Sequence, residues 1–264
     1  MLDGDRHSGA TRPQEARMPE QARTSFNRPQ RTLSPHSHPQ AGTGKAAAVG
    51  TEHVSDVLVR VSDAELEGRL GLPETARGVV VFAHGSGSSR HSPRNRQVAK
   101  ALYRAGFAVL LVDLFTPAEE QEDQRTGRVR FDIDLLARRV DESVGWVGEH
   151  ADTQGLPVGL YGASTGAAGA LAAAAQRPET VRAVVSRGGR PDLASSWLTT
   201  VAAPTLLVVG ALDHPVLELN RQAADALGGL ARVEVVAGAT HLFEEPGCLD
   251  SVATLTTAWF QQHL

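Results

Sequence analysis

Cysteine is almost missing from this chain: Cys248 is the single one in 264 residues. That excludes a disulfide framework and a cysteine-based zinc site. Long apolar runs are missing too, so no stretch approaches the length of a membrane span. The N-terminus lacks the apolar core of a secretory signal. A cytoplasmic location without a membrane partner is therefore expected. A strong charge of either sign is also absent; the net charge of −4 argues against a nucleic-acid partner.

The first 52 residues lack apolar periodicity and are rich in Arg, Gln, Pro, Ser and His. Such a composition cannot offset the entropy of ordering, which predicts a disordered tail over residues 1–52. The first 50 residues carry seven Lys/Arg against four Asp/Glu, leaving the remainder at −7. Gly42-Thr43-Gly44-Lys45-Ala46 imitates the end of a phosphate-binding loop, but Pro39 stands where its first glycine belongs and Ala46 replaces Ser/Thr. His36 and His38 are read as solvated, and neither a metal nor a cofactor is expected. With 41% hydrophobic residues, the chain has material for one good core, predicted over residues 53–264.

What is present points to nucleophilic catalysis. An apolar strand, Val158-Gly159-Leu160-Tyr161, runs into Gly162-Ala163-Ser164-Thr165-Gly166, and an alanine-rich stretch follows. Strand, Gly-x-Ser-x-Gly and helix in that order form a nucleophile elbow. The turn exposes the serine hydroxyl, and the helix N-terminus faces developing negative charge. A serine needs a base and an orienting acid, which follow it in the order Ser, Asp/Glu, His in this architecture. Asp213 leaves the end of one apolar strand and His241 follows another. Open α/β sheets build their sites at the carboxyl ends of strands. Ser164, Asp213 and His241 are thus the expected catalytic residues, with Glu218 as the alternative acid. A further strand ends in His84-Gly85-Ser86-Gly87-Ser88. The backbone N–H groups of Ser86 (or Gly87) and Thr165 are expected to hold the oxyanion.

In His84-Gly85-Ser86-Gly87-Ser88-Ser89-Arg90, Gly162-Ala163-Ser164-Thr165-Gly166, Gly210-Ala211-Leu212-Asp213 and Ala239-Thr240-His241, the chain resembles the α/β-hydrolase superfamily, most closely its dienelactone-hydrolase-related branch. The similarity runs through residues 53–264 in order. It implies the α/β-hydrolase fold and an acyl-enzyme mechanism. The enzymes that name the branch use a cysteine nucleophile, whereas Cys248 lies beyond His241; they carry a carboxylate near the oxyanion strand, where His84 stands. The resemblance therefore does not extend to dienelactone as the substrate.

Alternating apolar strands and amphipathic helices imply a doubly wound, mostly parallel sheet of about eight strands. Two antiparallel lead-in strands are expected over 53–61 and 64–72, a long helix from Ile133 to Val147, and a helix over 191–200. Only 17 residues separate the strands near Ser186 and Pro204, too few for a cap domain. The stretch from Asp113 to Arg130 reads as a long polar loop rather than an apolar lid. A small soluble ester or lactone is the expected substrate, and a monomer or homodimer the expected assembly. Arg90 and Arg187 are candidate substrate contacts for a carboxylate- or phosphate-bearing ester, with pairing to loop acids such as Glu119 or Glu120 as the alternative. The other readings are a thioesterase, an acyltransferase, or a catalytically idle fold that binds a small ligand.

Overall fold

The computed structural model describes residues 53–264, so the expected tail lies outside the described residues. Eight strands form one sheet: β1 (Val54–Val61), β2 (Ala64–Gly71), β3 (Val79–Ala83), β4 (Ala108–Val112), β5 (Val158–Ala163), β6 (Val181–Arg187), β7 (Thr205–Gly210) and β8 (Ala231–Val236). Their order across the sheet is β1-β2-β4-β3-β5-β6-β7-β8. β1 pairs antiparallel with β2, and β2 antiparallel with β4. Every other pairing is parallel. β3, β4, β5 and β7 are buried along their whole length. Parallel strands covered on both faces must be, which is why they read as unbroken apolar runs.

The helices are α1 (Pro93–Arg104), α2 (Pro117–Thr126), α3 (Ile133–Glu149), α4 (Thr165–Gln176), α5 (Ser195–Leu198), α6 (His214–Leu227) and α7 (Cys248–His263). Residues of α1 and α7 build the apolar layer on one face of the sheet, and those of α3, α4 and α6 the layer on the other. α4 is buried from Thr165 to Ala174, as its all-round alanine composition requires. Between β6 and β7 the chain makes only a 3-10 turn (Pro191–Ala194) and α5. No helix among the described residues is long and apolar enough to cross a membrane.

Two segments differ from expectation. The polar stretch after Asp113 contains α2. Its start is a reciprocal cap: the Glu119 N–H donates to Thr116 Oγ1 (3.3 Å), the Thr116 N–H donates to Glu119 Oε2 (2.8 Å), and Pro117 opens the first turn. Asp123 alone of its residues is buried, so the helix has no apolar stripe for periodicity to reveal. The second is the predicted helix over 191–200, which is a 3-10 turn followed by four α-helical residues. Ser195 and Ser196 compete for backbone hydrogen bonds, which weakens helix propagation there.

α2 is anchored through a buried cation. Arg139, on α3, is 1% exposed; it donates to Glu119 Oε1 and Oε2 (2.7 and 2.5 Å) and to the Leu114 carbonyl (2.7 Å). Burial by itself raises the Glu119 pKa, but hydrogen bonds from Arg139 and Thr116 outweigh it and hold the carboxyl below its ordinary range. A lowered folded pKa means that the contribution is complete above the unfolded value of about 4.3 and is lost as pH falls through the folded one. Glu119→Gln is expected to destabilise the fold by about 2 kcal/mol at pH 7, since it removes the bidentate charge facing a buried guanidinium and leaves only Asp63, at 3.5 Å. In urea titrations the gap to wild type should narrow as pH falls below the ordinary carboxylate value; a gap that stays constant across that acid range would refute the assignment.

Candidate active site

Ser164 stands at the junction of β5 and α4 with φ 51° and ψ −123°. A side chain tolerates this sparsely populated region only where the surroundings over-determine it. Here they do. The Ser164 N–H donates to the Arg187 carbonyl (3.3 Å), and its own carbonyl accepts from the N–H groups of Ala167 and Arg190 (both 3.1 Å). In a run buried from Val158 to Ala174, Ser164 is the residue with partial exposure. Gly166 permits the tight crossing: a Cβ there would lie 2.3 Å from the carbonyl oxygens of Ala83 and His84.

The loop after β3 is set against the elbow. Ser86 Oγ lies 3.2 Å from Thr165 Oγ1. Neither the Ser86 N–H nor the Thr165 N–H has a protein acceptor among the described residues; for Thr165 this follows from its place at the first turn of α4. His84 orders the loop. Its Nδ1 donates to the Gly85 carbonyl (3.0 Å), and its Nε2 accepts from the Leu114 N–H (2.8 Å). Only the neutral Nδ1–H tautomer can do both. Burial pushes the His84 pKa down, against the opposing Gly85 carbonyl and nearby acids.

Asp213 and His241 arrive from neighbouring strands. The Ala211 N–H donates to the Val236 carbonyl and the Leu212 N–H to the Ala239 carbonyl, both at 2.9 Å. These bonds stitch the turn after β7 to the turn after β8. Gly210 allows the approach, because a Cβ there would meet the carbonyls of Ala239 and Thr240 at 2.4 and 2.6 Å. Asp213 Oδ2 consequently lies 2.7 Å from His241 Nδ1. The Asp213 side chain makes no cap bond to α6. Glu218, the alternative acid, instead accepts from Gln222 (3.1 Å) on the exposed side of α6. No hydrogen bond joins Ser164 to His241 in this structure, but both border the turn after β6. A Cβ on Gly188 would lie 3.6 Å from His241 Cε1. Contacts of this kind are commonly loose without substrate.

The arginines are engaged in ways that sequence left open. Arg90 is not free at the mouth: its guanidinium pairs with Asp113 and Glu67, and its N–H donates to Asp113. Arg94 pairs with Glu244 and Arg190 with Asp192, both at 2.7 Å. Glu119 serves Arg139 rather than either of the arginines near the elbow. Arg187 turns into the protein and is 7% exposed. Cys248 is buried at the start of α7, 3.8 Å from the Ala237 carbonyl. Among the described residues no cluster of His, Cys, Asp or Glu is arranged to hold a metal. A cleft of ≈ 750 Å³ opens between α1 and the β2–β4 side of the sheet, lined by Arg69, Arg96, Tyr103 and Val109. None of Ser164, Asp213 and His241 lines it.

Sheet order, elbow and loop positions together define an α/β-hydrolase fold. Residues 66–261 match the dienelactone hydrolase family, and the chain belongs to that family. It is 54% identical to a dienelactone hydrolase from Anabaena variabilis, whose crystal structure superposes with a TM-score of 0.79 over 81% of this chain and 99% of that one. A 20% identical esterase domain from a Rhodothermus marinus protein shares the fold, with a TM-score of 0.63 over 80% of this chain and 98% of that one. Proteins from two Mycobacterium tuberculosis strains, provisionally named phosphoribosyl transferases, are 54% identical over 225 residues. The match takes in 85% of this chain and 50% of each relative, so the chain spans about half the length of the curated relatives it matches.

Proposed function

We propose that this protein is a serine hydrolase that cleaves a small carboxylic ester or lactone through an acyl-enzyme on Ser164. The observation that carries the reading is the 2.7 Å contact between His241 and Asp213, delivered to the turn that also holds the strained Ser164. In this reading His241 Nε2 takes the Ser164 proton as the hydroxyl attacks the carbonyl carbon, then protonates the leaving alcohol. Asp213 keeps the Nδ1–H tautomer and stabilises the imidazolium. The N–H groups of Ser86 and Thr165, which lack protein acceptors, hold the oxyanion. Water activated by His241 then releases the acid. The name of the Anabaena variabilis relative supports a lactone or ester substrate.

Intact-mass spectrometry after fluorophosphonate treatment tests the reading. One adduct on wild type, lost in Ser164→Ala, is expected, together with a fall in ester turnover of at least 10³-fold. A folded wild type that takes no label would overturn it in favour of a ligand-binding protein. So would phosphoribosyl transfer that survives in Ser164→Ala, the activity in the name of the longer relatives.

A further inference from the structure

Arg187 is a buried cation with no carboxylate within ion-pair distance among the described residues. Its Nε has no hydrogen-bond partner. Burying a charge uncompensated is costly, and an apolar side chain of similar volume would fill the space more cheaply. The contacts that the guanidinium does make are therefore informative. Its Nη2 donates to Asn95 Oδ1 (3.4 Å), in the first turn of α1 just after the oxyanion loop. Its carbon lies 5.9 Å from the centre of the Phe243 ring, within cation–π range. Its main-chain carbonyl accepts the Ser164 N–H (3.3 Å). Arg187 thus touches all three segments that carry the candidate site: the elbow, the base loop, and the helix that ends the oxyanion loop.

Phe243 is the second half of the device. It lies two residues past His241 with φ 57°, a conformation a bulky side chain adopts only when held there. Its ring is 1% exposed. The ring also abuts Gly188, where a Cβ would lie 3.4 Å from Phe243 Cε2 and 3.2 Å from the His241 carbonyl. The base loop is tied at its other end by Glu245, whose Oε1 accepts the Thr240 N–H (3.1 Å) and hydroxyl (2.5 Å).

We propose that Arg187 and Phe243 form a clamp that holds the His241 turn over Ser164. Both are positioning residues, not groups that meet substrate. The proposal deepens the serine-hydrolase reading and rests on it. The clamp gives the guanidinium a task other than the substrate contact expected from its place at a strand end. It also accounts for the strained backbone at an aromatic residue. Strain at Phe243 sets the direction in which the loop leaves His241, and the guanidinium above the ring stops that strain from relaxing.

The test combines Arg187→Met, Arg187→Lys, Phe243→Leu and Phe243→Gly. Three readouts are needed: kcat and KM on a p-nitrophenyl ester, the rate of Ser164 labelling by a fluorophosphonate, and Tm. Arg187→Met and Phe243→Leu should lower kcat and the labelling rate at least tenfold, with KM within threefold of wild type. Arg187→Lys, which keeps a cation over the ring, should recover part of the loss. Phe243→Gly is the discriminating variant, because glycine adopts the positive φ without strain. It should lose kcat as severely as Phe243→Leu whatever happens to Tm. Losses that follow Tm through the series would reduce the pair to ordinary packing and overturn the clamp, as would an Arg187→Met protein that labels within threefold of the wild-type rate. If Arg187→Met does not fold, Arg187→Lys and Phe243→Leu decide by the same criteria. A wild type that takes no label sinks the serine-hydrolase reading and the clamp with it; a labelled wild type with unaffected variants sinks the clamp alone.

Discussion

Asp213→Asn is expected to lower kcat/KM on a p-nitrophenyl ester by about 10⁴-fold while leaving Tm within a few degrees of wild type. The amide retains the shape of the carboxylate, so the stitched turns after β7 and β8 keep their form. Its NH₂ cannot accept the Nδ1 proton, and the imidazole is no longer held in the tautomer that presents a basic Nε2 to Ser164. The imidazolium formed during attack also loses its counter-charge. Glu218→Gln supplies the contrast. Glu218 accepts from Gln222 on the exposed side of α6, so activity should stay within twofold. A large loss in Glu218→Gln with little in Asp213→Asn would reverse the assignment of the acid.

Gly166→Ala should have the largest effect on stability, a loss of about 3 kcal/mol or more. The added methyl would meet two carbonyl oxygens, those of Ala83 and His84, each at 2.3 Å. Both belong to the backbone at the end of β3, so no flexible side chain can yield. Either the N-terminus of α4 lifts from the sheet or β3 gives way, and either movement separates Thr165 from Ser86. The fluorophosphonate label should disappear together with the stability. A urea midpoint close to wild type would mean that the elbow is looser than its geometry implies.

Much of the fold was legible because buried parallel strands leave a signal that survives without context. Val79–Ala83 and Thr205–Gly210 are continuous apolar runs, and α3 repeats its apolar residues at helical spacing. The elbow was legible for a steric reason: Gly162 and Gly166 around Ser164 suit one kind of strand-to-helix turn. α2 was missed because its cap is encoded in Thr116 and Glu119 while its body has no apolar face. Thr-Pro-Ala-Glu ahead of a polar run is itself a helix-start signal, and it was available in the sequence.

The charged residues mark where local reading stops. From sequence, Arg90 and Arg187 read either as substrate contacts at the mouth of the site or as partners of loop acids. In the structure Arg90 meets Asp113 and Glu67, Arg94 meets Glu244, Arg190 meets Asp192 and Arg187 turns inward. Of these pairs only Arg190 with Asp192 is local in the chain; Arg94 and Glu244 are 150 residues apart.

The sequence by itself determined the order of the eight strands and of the amphipathic helices, the serine at the elbow, and the two strand ends that carry an acid and a histidine. Short-range sterics and the periodicity of burial settle these. Only the tertiary structure decided that Asp213 rather than Glu218 reaches His241, that His84 is a neutral tie to Leu114, and that the Arg187 guanidinium lies over the Phe243 ring. Each of those outcomes depends on two strands meeting at a particular register. Pairing energies between residues far apart in the chain, together with close approaches such as that at Gly210, set that register, and no local pattern encodes it.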